Sequence, residues 1–166
     1  MAGRETRSYD EKNNLKGSIY SLSDGTVEHK YAYLYDNEGR MAVMKIYWPA
    51  ELSAIHKYTY EGRKKLEDAE YSPEGGSLGK WDYKYDPHGN LIEAVQSDPN
   101  SNNRRKISYF YNLINQVTKQ VTYSGESLQS TISFEYDKKY LFSLKTEFSS
   151  AGKIIAKYRY QYAFFQ

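Results

Sequence analysis

Acidic residues recur at nearly regular intervals along the chain: Asp10, Asp36, Glu61, Asp86 and Asp137. Paired acids can move a proton in hydrolysis, and clustered acids can hold a hard cation such as calcium. A third use needs no ligand, because an Asp side chain accepts hydrogen bonds from the amides of the turn that follows it. The spacing favours this third use. Each acid directly follows a tyrosine, and Asn13, Gly39 and Gly89 stand three places after their acids. In one unit Asn112 replaces the acid and Asn115 completes the pattern. Gly and Asn are the residues that accept a positive φ. The column is therefore read as turn formers. A carboxylate-based hydrolase is kept as a remote alternative that needs two acids from different units to converge.

Other reactive groups are sparse. His29, His56 and His88 fall at different points of the interval, so a shared metal site is not expected, and neither is a cofactor. The absence of cysteine excludes a thiolate ligand or nucleophile. Gly75-Gly76-Ser77-Leu78-Gly79 lacks the Lys-Ser/Thr of a phosphate loop and reads as a hairpin loop. With 23 basic and 21 acidic residues the net charge is +2, which gives no pull toward nucleic acid even around Arg104-Arg105-Lys106. No apolar run is long enough to span a membrane, and no basic segment leads into an apolar one as in a signal peptide. The remaining ligand chemistry is stacking. Trp48, Trp81 and Tyr47, with polar side chains nearby, are candidates for a sugar ring. The competing reading makes Trp81 a core residue standing where other units have Tyr31 or Ile107.

The elements that must position these residues come from a repeat. Tyr9, Tyr35, Tyr60, Tyr85, Tyr111, Tyr136 and Tyr162 mark seven units of 25–26 residues. Before the mark, large apolar residues occupy every second position, as in Tyr31/Tyr33/Tyr35 and Trp81/Tyr83/Tyr85, the period of a half-buried strand. Six places after it comes Leu15, Met41, Leu66, Leu91, Val117 or Phe142. A three-residue loop closed by a left-handed residue would set each marked tyrosine opposite that residue. The return strand ends in a second, more variable turn, and at Trp48-Pro49-Ala50-Glu51 the proline would open a single helical turn. Leu, Ile, Val and Phe together make up under a fifth of the chain, so its 19 tyrosines must supply the apolar area. The expectation is one all-β domain over residues 1–166. It is an antiparallel β-meander of about 12–14 strands built from repeated hairpins, in a rolled or strongly curved sheet.

Two units carry a resemblance. Tyr33-Leu34-Tyr35-Asp36-Asn37-Glu38-Gly39-Arg40-Met41 and Tyr83-Lys84-Tyr85-Asp86-Pro87-His88-Gly89-Asn90-Leu91 resemble the tyrosine–aspartate (YD) or RHS repeat, Y-x-Y-D-x-x-G-[RN]-L. Tyr60, Tyr111 and Tyr136 mark degenerate copies. The resemblance implies extracytoplasmic or cell-surface proteins, toxin-encapsulating shells and teneurin ectodomains, whose hairpins form long spiralling sheets. The shell proteins close their repeats with D-P-x-G. Here Asp86-Pro87-His88-Gly89 lies mid-chain and reads as an ordinary turn. The function expected is a non-catalytic scaffold for protein interaction or partial encapsulation, with a glycan-binding module as the alternative. Polar residues Glu5 and Arg7 near one end, and Tyr162-Ala163-Phe164-Phe165 at the other, suggest a partner or self-association through a sheet edge.

Overall fold

A computed structural model describes residues 3–163. The strands are β1 (Arg4–Tyr9), β2 (Leu15–Ser21), β3 (Val27–Tyr35), β4 (Met41–Tyr47), β5 (Leu52–Glu61), β6 (Lys64–Tyr71) and β7 (Ser77–Tyr85). They continue as β8 (Leu91–Asp98), β9 (Ser101–Tyr111), β10 (Val117–Ser124), β11 (Ser127–Tyr136), β12 (Phe142–Ser149) and β13 (Ile154–Arg159). No helix occurs among the described residues. Contacts gather into two compact units, Met1–Asp82 and Tyr83–Gln166. Inside each unit the described pairings join consecutive strands in antiparallel fashion, the meander that the period of two and the turn residues predict.

The hairpin loops follow the turn chemistry. Asp36 N donates to Arg40 O at 2.9 Å and Gly39 N to Asp36 O at 3.0 Å, a three-residue loop closed by Gly39 at φ 78. The same two bonds close the loops that begin at Asp10, Asp86, Asn112 and Asp137. Asp86-Pro87-His88-Gly89 is one of these ordinary turns. Tyr140 occupies the left-handed position at φ 62 although it is neither Gly nor Asn. The loop thus keeps its geometry in a unit whose sequence departs from the pattern. The far turns are more uniform than expected, since Leu22–Thr26, Ser72–Gly76 and Ser149–Lys153 repeat the same bond pair.

The predicted register holds at Tyr9/Leu15, Tyr35/Met41, Tyr111/Val117 and Tyr136/Phe142. Tyr60 departs: it pairs with Lys65, not Leu66, and Glu61 pairs with Lys64. Gly62, at φ 54, directly follows Glu61 and permits a two-residue loop, whereas Lys64 offers no left-handed residue for the longer one. The expected helical turn after Trp48 is also absent. The segment bends tightly, with Trp48 N donating to Glu51 O at 2.8 Å, because Leu52 must return to pair with Tyr47.

Neither unit has a core of large side chains. The buried apolar residues are Ala54 and Ala69 in the first unit and Ala94 and Val121 in the second. The aromatic rows remain half-buried, because no second layer of secondary structure covers them within either unit.

Candidate functional surface

Four of the marked tyrosines, Tyr35, Tyr60, Tyr111 and Tyr136, are hydrogen-bonded rungs. Tyr35 Oη donates to Leu15 O at 2.9 Å, and Tyr60 Oη to Met41 O at 2.8 Å. Tyr111 Oη donates to Leu91 O at 2.8 Å and Tyr136 Oη to Val117 O at 2.9 Å. Each bond crosses to the first residue of the return strand in the preceding hairpin. Phenylalanine or leucine could fill the same space but could not make this bond. Burial raises the phenol pKa of Tyr35, Tyr111 and Tyr136, so these hydroxyls remain donors at neutral pH.

Four acids of the column, Asp10, Asp36, Asp86 and Asp137, are committed to their loops, whereas Glu61 departs from the expected turn role: it ends β5 and pairs with Lys64. Asp36 Oδ1 accepts from Glu38 N and Arg40 N at 2.9 Å each, and Oδ2 accepts from Arg40 Nε at 2.7 Å. Asp10 serves Lys12 and Asn14, Asp86 serves Asn90, and Asp137 serves Lys139 and Leu141 in the same manner. These donors lower the pKa of Asp36 chiefly through the Arg40 amide, and of Asp10 and Asp86 chiefly through the Asn14 and Asn90 side chains. A second row of rungs follows at the next column. Arg40 Nη1 donates to Gly62 O, Asn90 Nδ2 to Asn115 Oδ1 at 3.0 Å, and Gln116 Nε2 to Tyr140 O at 2.8 Å. Successive loops are thereby tied at one end of the hairpins. Groups of three or more His, Cys, Asp or Glu able to hold a metal ion do not occur among the described residues.

The aromatic face of the first unit carries the chemistry that composition did not reveal. His29 lies between two rings, Tyr20 at 5.0 Å with planes 10° apart and Trp48 at 5.4 Å with planes 5° apart. Tyr31 meets the imidazole edge-on at 5.4 Å. Its Nδ1 is buried without a hydrogen bond, and Glu28 Oε2 stands 3.8 Å away. Trp48 itself is 56% exposed, so its outer face is open. Two strands on, His56 Nδ1 and Asp68 Oδ1 are 2.9 Å apart, and Lys65 Nζ approaches Asp68 Oδ2 at 3.6 Å. Trp81 is half-buried in β7, directly opposite Asp68.

The three stacking candidates do not form one site. Tyr47 is adjacent to Trp48 in sequence and so points to the opposite face, where Lys30 Nζ lies 5.1 Å from its ring. Trp48 and Trp81 share the aromatic face, but Trp48 follows the end of β4 while Trp81 lies three strand steps away in β7, level with the start of β4. Sequence reasoning missed His29 as a stacking partner and missed the His56–Asp68 pair. The signal was strand parity: His56 shares the face of Tyr58, and Asp68 lies opposite Tyr58.

These features define a class: a β-hairpin repeat sheet whose rows of tyrosine bond one hairpin to the next. The sequence matches the Teneurin YD-shell family over residues 2–165, and the chain belongs to that family. No curated protein matches it. Among solved structures, TcdB2–TccC3–TEV is similar at a TM-score of 0.58 and 16% identity, over 95% of this chain and 9% of that one. TcdB2–TccC3–Cdc42 is similar at 0.59 and 18%, over 94% and 8%. A porin-like protein from Bacteroides uniformis reaches 0.54 and 10% identity, over 86% of this chain and 80% of that one. The chain thus spans under a tenth of the first two. What it shares with all three is the fold, and its family makes it a β-repeat shell scaffold.

Proposed function

We propose that the chain is a non-catalytic, extracytoplasmic scaffold whose seven units act as one array and hold a protein segment against the aromatic face. The observation that carries this reading is that face itself. Rows of tyrosine are fixed in place by cross-hairpin bonds yet stay half-exposed, and among the described residues the buried apolar side chains are three alanines and one valine. A folded protein seldom leaves so regular an apolar surface without a partner. Membership of the shell family supports both the scaffold role and the extracytoplasmic location. Asp10, Asp36, Asp86 and Asp137 are engaged by turn amides, which supports the non-catalytic reading.

The test is a titration of labelled peptides of apolar, acidic and basic composition, followed by fluorescence anisotropy. Apolar peptides should bind saturably, and Tyr33→Ser should weaken them tenfold or more. Absence of saturable binding by every peptide would remove the reading. One observation favours a second reading: the open outer face of Trp48, backed by His29, is suited to a sugar ring. On a glycan array, binding lost in Trp48→Ala and retained in Trp81→Ala would support it, and an array with no signal would eliminate it.

A further inference from the structure

The face of the first unit opposite the tyrosine rows carries a line of cations. The pairings Lys30↔Tyr47, Lys45↔Ile55 and Lys57↔Ala69 set Lys30 of β3, Lys45 of β4 and Lys57 of β5 on that face. Lys45 stands two residues from the partner of Lys30, and Lys57 two residues from the partner of Lys45. Each lysine is therefore the diagonal neighbour of the one before, about 7–8 Å away across the ladder. Ala32 and Ile55, directly opposite Lys45 on either side, form a half-buried floor. Lys30 and Lys57 are exposed, so the line is open to a long ligand.

Two of these ammonium groups are held by rings. Lys30 Nζ lies 5.1 Å from the centroid of the Tyr47 ring, and Lys57 Nζ lies 4.7 Å from that of Tyr71. A ring fixes a cation without cancelling its charge. Among the described residues none of the three lysines meets a carboxylate. Glu28, two residues before Lys30, stands 3.8 Å from His29 instead. The contrast lies on the same face, where Lys80 Nζ meets Glu67 at 2.8 Å and Asp82 at 2.9 Å. Acidic residues outnumber basic ones in Met1–Asp82, so the missing counter-charges do not reflect a shortage of acids. Neighbouring like charges repel across a ladder, and this row keeps that cost.

We propose that the line binds a linear acidic polysaccharide, a polymer of sulfated or carboxylated sugars. Regularly spaced anions laid along the diagonal would meet one ammonium after another and release their condensed counterions. Single-stranded nucleic acid is a poorer match, because it binds through open aromatic faces on which bases stack. Here Tyr47 and Tyr71 are covered by lysine. The inference does not depend on what the aromatic face holds, nor on Trp48, which lies on the other side of the sheet.

Fluorescence anisotropy of labelled dextran sulfate and labelled polygalacturonate, each titrated with the full chain, reads the outcome. At least one polymer should bind saturably, with an affinity that falls steeply between roughly 50 and 500 mM NaCl. Neutral dextran should not bind. Lys45→Gln should weaken binding about fivefold, and Lys30→Gln, Lys45→Gln and Lys57→Gln together about a hundredfold. The far-UV spectrum of both variants should be unchanged. Lys45→Arg keeps the charge and should keep the affinity, as should Trp48→Ala on the other face. Absence of saturable binding by both acidic polymers would overturn the inference. So would an affinity that survives the triple substitution, equal binding of neutral dextran, or an oligothymidylate bound as tightly as the better polymer.

Discussion

Tyr60 donates its hydroxyl to the carbonyl of Met41, 2.8 Å away and 19 residues back in the chain. The bond joins one hairpin to the next, and removing it leaves a half-buried carbonyl without its partner. Tyr60→Phe should therefore cost about 1–2 kcal/mol in urea unfolding. Tyr33 lies on the same face, and no hydrogen bond is described for its hydroxyl. Tyr33→Phe should change stability by less than about 0.5 kcal/mol. Equal losses in the two variants would mean that the rungs do not join the hairpins.

The loop acids give the fold an acid limit. Their donors hold Asp10, Asp36 and Asp86 below the usual carboxylate pKa in the folded state. The stability they supply is therefore complete above the unfolded value of about 4, and is lost as pH falls through the lower folded values. The urea midpoint should be flat near neutrality and fall below about pH 4. Asp36→Ala should lower the neutral plateau and reduce the acid slope. A variant that keeps the full slope would assign it to other groups.

Backbone strain separates two equivalent loop positions. Gly39 sits at φ 78 with open space around it, so Gly39→Ala should destabilise by about 1 kcal/mol through conformation alone. Tyr140 adopts φ 62 in the corresponding loop and is 67% exposed. Tyr140→Gly should gain about 0.5–1 kcal/mol, since Gln116 bonds only its backbone carbonyl. Thermal denaturation should move the two midpoints in opposite directions.

The sequence made the array legible because its columns are mechanical. Asp36, Gly39 and Met41 each have one local task, and spacing alone assigns it. Misreadings arose where a local alternative competed. At Tyr60 the neighbouring Gly62 allowed a shorter loop and moved the partner from Leu66 to Lys65. At Trp48 the need to return Leu52 to Tyr47 overrode the helix-opening tendency of Pro49. The site was less legible, because it depends on which residues meet across strands. Tyr47 and Trp48 look like neighbours in the sequence and lie on opposite faces. His56 and Asp68 are 12 positions apart and meet at 2.9 Å.

That pair should behave as a coupled unit. His56 and Asp68 are both half-buried, and Lys65 Nζ also lies 3.6 Å from the carboxylate. A double-mutant cycle with His56→Gln and Asp68→Asn should return a favourable coupling of about 1 kcal/mol. Additive losses would make the contact incidental.

The central claim, that the tyrosine face is an open working surface and not the inside of a core, is tested most directly by hydroxyl-radical footprinting read by mass spectrometry. Trp48 should be oxidised fastest, and Tyr33, Tyr58 and Trp81 should react at intermediate rates. Ala54 and Val121 should be protected. With each rate divided by that of the same residue in the urea-unfolded chain, protection of Tyr33, Tyr58 and Trp81 to the level of Val121 would contradict the account.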